Sequence, residues 1–159
     1  KRCEFGRYKD RYRVIEDLED ANRVLFEELF ENEIIGKRWS SDKDRSPLVI
    51  IIDELLDLIF MHKSKSSKYV SDRNRYEAII KILDIGPELN IFTIISTQSS
   101  DKDILTKKIL DNCQTRLVFR TINAQDSRRI LKKSGAEDLL GRVEAILYQE
   151  GKCQKIQCH

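Results

Sequence analysis

The run Leu48-Val-Ile-Ile-Ile52 constrains the fold more than any other stretch of this sequence. All of its residues are apolar, most are β-branched, and no polar residue alternates with them. A strand with one face in water alternates apolar and polar residues, whereas a strand of a parallel sheet is covered on both faces and reads as a continuous apolar run. The run therefore predicts a short strand of a parallel sheet that is covered on both faces.

Two further strands and the helical patterns around them extend this prediction. Ile91–Ile95 and Arg116–Arg120 are also short apolar-rich runs, and apolar residues at three- and four-residue spacing predict helices before and between the strands, the first of them within Val14–Ile35. Strands that alternate with helices indicate βαβ units and a parallel sheet. Ala145–Cys158 predicts a terminal hairpin that turns at Glu150-Gly151. The expected fold class is α/β.

Length and composition limit the remaining possibilities. The 159 residues suit a single domain, and with 40% apolar and 35% charged residues the chain is neither disordered nor repetitive. No apolar run approaches the roughly 20 residues of a membrane span. The formal net charge of +2 gives no overall reason to expect a polyanionic partner, so any contact with nucleic acid must come from a local patch.

Two acidic residues, Asp53 and Glu54, directly follow the first strand. Ligands of open α/β sheets bind at the carboxyl ends of the strands, and an apolar strand that ends in Asp-Glu is a Walker B pattern. Its chemistry needs one carboxylate to hold Mg²⁺, usually through water, and another to polarise the water that attacks the γ-phosphate. We assign Asp53 the first role and Glu54 the second. The structural alternative is that Asp53 only caps the helix predicted from Leu55, since Asp is a favoured N-cap residue.

Polar residues also end the second strand, where Ser96, Thr97 and Gln98 follow Ile95. If the two strands are neighbours, these side chains lie beside the acidic pair and can read the γ-phosphate. A side-chain amide can hydrogen-bond both a phosphate oxygen and a water, so Gln98 is the first candidate for this sensor role and Thr97 the second. The alternative is that these residues merely begin a loop.

Taken in order, these segments resemble the FtsK/SpoIIIE family of DNA-translocase ATPases over nearly the whole chain. Residues 47–58 (PLVIIIDELLDL) are similar to the Walker B segment of that family, residues 94–98 (IISTQ) to its sensor strand, and residues 115–119 (TRLVF) to its next strand. The most specific likeness is DSRRILKKSGAEDLLG at residues 126–141. The closing hairpin is similar as well.

The resemblance implies a RecA-like P-loop NTPase fold with a mostly parallel sheet flanked by helices, of which residues 1–159 are the C-terminal part of a single motor domain. It also implies a motor that binds ATP and Mg²⁺ and forms a hexameric ring around duplex DNA. Asp53, Glu54 and Gln98 match site residues of the family. Arg116 and Arg128 are both candidates for a cation that reaches the nucleotide of a neighbouring subunit, because a guanidinium stays charged and forks onto phosphate oxygens. An ordinary ion pair is the alternative for each.

The chain also departs from the family pattern. Ser99-Ser100 stand where the family often has Arg-Pro, and Pro87–Ile91 (PELNI) replaces Arg-Ala-Ala-Gly-Ile. No G-x-x-x-x-G-K-[ST] loop occurs among the six glycines. Residues 1–6 (KRCEFG) resemble those that follow the second core strand of the family, so the Walker A segment is expected upstream. We therefore expect this chain to be inactive as an ATPase on its own.

Local basic patches are the candidates for contacts with DNA. One is the loop at residues 62–75, and the other is the segment 101–133, which carries nine basic and four acidic residues. Such patches suit sequence-independent contacts with phosphates, and a solvated helix face is the alternative. We assign these contacts to Lys107, Lys108, Lys132 and Lys133.

The sequence thus favours an ATP-driven DNA translocase, in chromosome segregation or in the transfer of a conjugative element. One rival is a motor of the same fold that moves protein, as in type VII secretion. The other is a non-hydrolysing assembly module, against which the intact Asp53-Glu54 pair argues. We expect the motor domain in the cytoplasm, with any membrane anchor outside these residues.

Overall fold

A computed structural model describes residues 13–15, 17–25, 47–59, 72–141 and 143–157. The elements in chain order are α1 (Leu18–Arg23), β1 (Leu48–Ile52), α2 (Leu55–Ile59), α3 (Asp72–Ile85), β2 (Ile91–Ile95), α4 (Lys107–Asn112), β3 (Thr115–Val118), α5 (Ala124–Leu131), β4 (Glu144–Gln149) and β5 (Lys152–Gln157). The chain divides into two compact units, residues 1–98 and 99–159, and each is described by itself. Among the described helices, none is long and apolar enough to cross a bilayer.

The first unit contains a two-stranded parallel sheet. β1 pairs with β2 over the full length of both strands, with Leu48 opposite Ile91 and Ile52 opposite Ile95. The pairing continues beyond the strands, because the backbone N–H of Ser96 donates to the carbonyl of Ile52 at 2.8 Å. The predicted βαβ unit is therefore confirmed, and the carboxyl ends of its two strands lie side by side.

Helices cover one face of this sheet. α3 packs against both α2 and β2, and Leu55 and Ile79 are almost completely buried in this layer. The prediction that β1 is covered on both faces is not met within the described residues, because the side chains on the second face remain about half exposed. Four large apolar side chains there are 50% to 58% exposed: Val49, Ile51, Phe92 and Ile94. We call these four residues the open sheet face.

Gly86 begins the tight turn that leads from α3 to β2 through a short 3₁₀ turn at Pro87–Leu89. A Cβ atom at this position would lie 2.3 Å from the carbonyl oxygen of Ile82 and 3.1 Å from that of Ile91, so a larger residue would push the two elements apart. The backbone N–H of Ile91 donates to the carbonyl of Gly86 at 2.8 Å. Asn90 completes the turn with a φ of 58°, in the left-handed region that Asn tolerates better than most residues.

The second unit contains a three-stranded antiparallel sheet in the order β3-β4-β5. β4 and β5 form the predicted terminal hairpin, with Gly151 at a φ of +78° in its turn. The third strand, predicted at Arg116–Arg120, is found at Thr115–Val118 and so ends two residues earlier. It pairs antiparallel with β4. We expected a mostly parallel sheet, but three of the five described strands pair antiparallel. The core of this unit is formed by Leu110, Val118, Ile130, Leu131, Ala136, Leu139 and Tyr148.

Candidate functional site

The carboxyl ends of β1 and β2 bring the predicted acidic and sensor residues together. Asp53 and Glu54 follow β1, residues 96–98 follow β2, and parallel pairing places the two segments next to each other. The backbone N–H of Leu55 donates to the carbonyl of Ser96 at 3.0 Å, which ties the segments together directly after the strands. We call residues 53–54 and 96–98 the acidic edge.

The carboxylate of Glu54 accepts hydrogen bonds on both of its oxygens. Oε1 accepts from the hydroxyl of Thr97 at 2.5 Å and from the backbone N–H of Leu56 at 3.2 Å. Oε2 accepts from the backbone N–H of Gln98 at 2.9 Å. Glu54 is half-buried, and these three donors define the orientation of its side chain.

Asp53 is exposed at the same edge. The hydroxyl of Ser96 donates to the backbone carbonyl of Asp53 and lies 3.4 Å from its Oδ1 atom. The alternative in which Asp53 caps the following helix is wrong, because the carboxylate that accepts an N–H from the first turn of α2 belongs to Glu54. The side chain of Asp53 therefore faces solvent at the carboxyl end of its strand.

Arg116 and Arg128 differ sharply in their surroundings. Arg116 is buried, and its guanidinium donates to the carbonyl of Cys113 at 2.8 Å and to the carbonyls of Leu110 and Ile130. It also lies over the ring of Tyr148, 4.6 Å from the centroid. Arg116 thus caps the carboxyl ends of α4 and α5, where carbonyls lack partners within their own helices. A neighbouring subunit would have to compete with all of these contacts.

Arg128 is exposed on α5. Its charge helps to lower the pKa of Glu137, although the main cause of that shift is a hydrogen bond from the backbone N–H of Gly135 to the Glu137 carboxylate. Of the two predicted arginines, Arg128 is the one whose guanidinium can meet a group outside its own chain.

The chain is similar in sequence to bacterial DNA translocases named FtsK. No family model matches the chain. It is 27% identical over 147 residues to the DNA translocase FtsK of Pseudomonas putida, covering 92% of this chain and 16% of that protein. It is 31% identical over 143 residues to FtsK of Streptomyces avermitilis (88% and 14%) and 35% identical over 124 residues to FtsK of Chlorobaculum tepidum (76% and 14%). The predicted FtsK/SpoIIIE resemblance is confirmed. The chain spans about one seventh of the length of these relatives.

Two solved structures share the fold. The pCW3 conjugation coupling protein TcpA, in its monomer form with ATPγS, matches with a TM-score of 0.70 at 18% identity over 96% of this chain and 47% of that one. The cytoplasmic domain of the Thermomonospora curvata type VII secretion ATPase EccC matches with a TM-score of 0.57 at 18% identity, over 98% and 15% of the respective chains. The predicted α/β fold is therefore confirmed, and the chain shares it with these two proteins.

Most of the FtsK/SpoIIIE signature at residues 126–141 has a structural role. The backbone N–H of Asp126 donates to Oδ1 of Asn123 at 2.9 Å, and its carboxylate accepts from the side chain of Asn123 at 3.0 Å, which is a reciprocal cap on α5. Ser127 is fully buried; its hydroxyl donates to the carbonyl of Lys133 at 2.9 Å and accepts from the N–H of Ala136 at 3.1 Å. The sequence pattern gave no sign of this bridge, because it depends on how the chain folds back after α5.

The four predicted DNA-contacting lysines of this FtsK/SpoIIIE-type segment are all exposed. Lys107 and Lys108 begin α4, which Thr106 caps by accepting the N–H of Ile109. Lys132 and Lys133 follow α5, and Lys132 has a φ of 59°. The other candidate, the basic loop at residues 62–75, lies outside the described residues as far as residue 71.

Proposed function

We propose that this chain is part of an ATP-driven DNA-translocase motor of the FtsK/SpoIIIE type, and that it carries the groups that activate water and sense the γ-phosphate. The acidic edge is the observation that supports this most strongly. It joins two carboxylates to the segment after β2, where Gln98 is exposed. The likeness to FtsK translocases over most of the chain indicates which reaction such an edge performs.

Mg²⁺ and ATP fit this edge. No group of three or more His, Cys, Asp or Glu side chains that could hold a metal exists among the described residues. Mg²⁺ does not need one, since it usually keeps several waters and is held by one or two carboxylates together with substrate phosphates. Asp53 would hold the ion through water, and the ion would neutralise charge on the phosphates.

Each remaining residue has one role in this proposal. Glu54 polarises the attacking water, Gln98 reads the γ-phosphate through its side-chain amide, and Arg128 reaches the nucleotide of the neighbouring subunit in a hexameric ring. The guanidinium of Arg116 supports the ends of α4 and α5 instead. The exposed lysines of the second unit contact the phosphates of duplex DNA. We place this motor in the cytoplasm, in chromosome segregation or conjugative transfer.

The test is ATP turnover by the full-length protein with and without duplex DNA. We expect DNA to stimulate turnover, and we expect Glu54→Gln to lower the turnover number at least about 100-fold while ATP still binds, because a positioned general base contributes on that scale. An ATP turnover rate that duplex DNA does not change would favour a motor that moves protein, as in type VII secretion. Unchanged turnover in Glu54→Gln would remove Glu54 from the mechanism, and no turnover in the wild-type protein would favour a non-hydrolysing module.

A further inference from the structure

The hydroxyl of Thr97 has one proton, and it donates this proton in its hydrogen bond to Oε1 of Glu54. The donor–acceptor distance of 2.5 Å is short for a hydroxyl on a carboxylate, as expected for a charge-assisted bond. Oxygen atoms of an ionised phosphate can only accept hydrogen bonds. Because a threonine hydroxyl donates only once, Thr97 cannot donate to the γ-phosphate while it holds Glu54. The position of Thr97 after β2 predicts a contact with the γ-phosphate, whereas the geometry shows a contact with Glu54.

The other contacts of Glu54 show what this bond does. A carboxylate offers about four acceptor positions. Oε1 uses two of them, for Thr97 and for the N–H of Leu56, and Oε2 uses one, for the N–H of Gln98. One acceptor position on Oε2 therefore remains. Thr97 is the only one of the three donors that belongs to a side chain, so it alone can be removed by substitution without altering the backbone.

We infer that Thr97 is a positioning residue for Glu54. Its hydroxyl fixes the carboxylate so that the remaining acceptor position of Oε2 serves the attacking water, and it does not bind the nucleotide. This inference rests on the proposed function, in which Glu54 polarises that water. It divides the sensor segment into two parts: Thr97 orients the carboxylate, and the exposed amide of Gln98 is left for the phosphate.

The kinetic test compares Thr97→Val, which has the same shape without the hydroxyl, with Thr97→Ser, which keeps the hydroxyl, in the full-length protein with duplex DNA. We expect Thr97→Val to lower kcat about tenfold or more, with the KM for ATP and the affinity for ATPγS within about twofold of the wild type, since one hydrogen bond to a charged group contributes on this scale. Thr97→Ser should retain most of the activity. In the background of Glu54→Gln, Thr97→Val should cause little further loss, because both act on the same step.

Three kinetic results would contradict the inference. A loss of ATPγS affinity that matches the loss of kcat would place Thr97 on the nucleotide. An unchanged kcat in Thr97→Val would show that the hydroxyl orients nothing. Equal losses in the Val and Ser variants would point to packing around the side chain.

Amide-resolved hydrogen exchange tests the same contact without any ATP turnover. The N–H of Leu56 lies in the first turn of α2, where helical N–H groups lack an intrahelical acceptor, and it donates to Glu54. Thr97→Val should therefore speed exchange at Leu56 and Gln98 about tenfold. The N–H of Leu55, which donates to the carbonyl of Ser96, is the internal control and should not change. Unchanged rates at Leu56 and Gln98, or an equal increase at Leu55, would contradict the inference.

The two kinds of measurement separate the possible failures. If the wild-type protein hydrolyses no ATP, the proposed function fails, and the exchange rates still decide whether Thr97 orients Glu54. If the rate of ATP hydrolysis depends on Glu54 but not on Thr97, the proposed function stands and this inference fails.

Discussion

Arg116 and Arg128 show how two arginines with the same predicted role are used differently. Arg116 is surrounded by the carbonyls that end two helices and by the ring of Tyr148, so removing it would leave several buried acceptors without a donor. Arg128 is exposed and makes its described electrostatic contact with Glu137 at the surface. A cation that acts across a subunit boundary must be exposed so that it can reach a group of another subunit. Of these two arginines, Arg128 meets that condition.

We therefore predict that Arg128→Ala lowers ATP turnover of the full-length protein, in the proposed ring, about 1000-fold, the scale on which an arginine finger contributes. Arg120→Ala, which removes another exposed arginine of the same unit, is the matched control and should change turnover less than about twofold. Mixing subunits of Arg128→Ala with subunits of Glu54→Gln should restore part of the activity, because some sites then combine an intact Glu54 with an intact Arg128 from the neighbour. No recovery in mixed rings would place Arg128 in its own subunit's site or outside the mechanism.

The proximity of the acidic-edge residues could be predicted from the sequence, whereas the surroundings of the two arginines could not. Asp53, Glu54, Thr97 and Gln98 each follow an apolar strand, and parallel pairing brings such positions together whatever the rest of the fold is. The burial of Arg116 depends instead on where α4 and α5 end relative to β3, which is set by packing between distant segments. For the same reason, the sequence could not show that the Thr97 hydroxyl points to Glu54.

At the level of elements, the terminal hairpin contains an ion pair that makes its stability depend on pH. The Nζ atom of Lys155 lies 2.8 Å from Oε1 of Glu144. The hydrogen bond from Lys155 is the main cause that lowers the pKa of Glu144, and the backbone N–H of Leu140 adds to it. A carboxyl group whose pKa is lower in the folded state stabilises that state above its ordinary pKa and loses this contribution as the pH falls through the lower folded value.

We predict that Glu144→Gln lowers the stability of the hairpin at pH 7 and has little effect at an acid pH below the lowered folded pKa of Glu144, because there the wild-type side chain is also protonated in the folded state. The measurement is hydrogen exchange of the β4 and β5 amides in the full-length protein, compared between variant and wild type at each pH. Glu150→Gln, at the turn of the same hairpin, is the control and should show no such pH dependence. An equal effect of Glu144→Gln at both pH values would mean that its charge is not the cause.

The elements themselves followed from the sequence to different degrees. β1, β2 and the hairpin could be predicted because apolar runs and a glycine turn are local signals. The antiparallel pairing of β3 with β4 could not, because a strand of four residues does not carry enough pattern to define its partner. The open sheet face was missed because an apolar run shows that a strand can be covered on both faces, not which segment covers it.

For the whole molecule, the distribution of charge matters more than its total. The net charge is only +2, yet the four lysines at the start of α4 and after α5 are exposed in the same unit. We predict that replacing all four with Gln weakens duplex binding by the full-length protein to a similar extent for unrelated DNA sequences. The slope of log Kd against log salt concentration should also become smaller, by an amount that corresponds to the release of up to about four counterions. The control replaces Lys152 of the hairpin with Gln, which removes an exposed lysine outside both candidate patches and should change affinity and salt dependence much less. Unchanged affinity and salt dependence in the fourfold variant would place the DNA surface elsewhere.

The open sheet face and the missing phosphate-binding loop together determine how this chain should behave alone. Its four large apolar side chains are 50% to 58% exposed on two adjacent parallel strands, and strands of parallel sheets are normally covered on both faces. Exposed apolar surface of this kind promotes association with other chains. The acidic edge adds two carboxylates, and the sequence contains no G-x-x-x-x-G-K-[ST] loop whose backbone N–H groups and lysine could offset their repulsion of a triphosphate.

We therefore predict that the purified chain of 159 residues self-associates and does not bind ATP at micromolar concentrations. Light scattering measures the association, and titration with a fluorescent ATP analogue measures the binding. Replacing Ile51 and Ile94 with Thr, which keeps a β-branched side chain in each strand, should reduce self-association because it makes the open sheet face more polar, and it should not restore ATP binding. If the unmodified chain binds ATP at micromolar concentrations, the acidic edge does not need a phosphate-binding loop. If the unmodified chain is a monodisperse monomer, the open sheet face does not promote association.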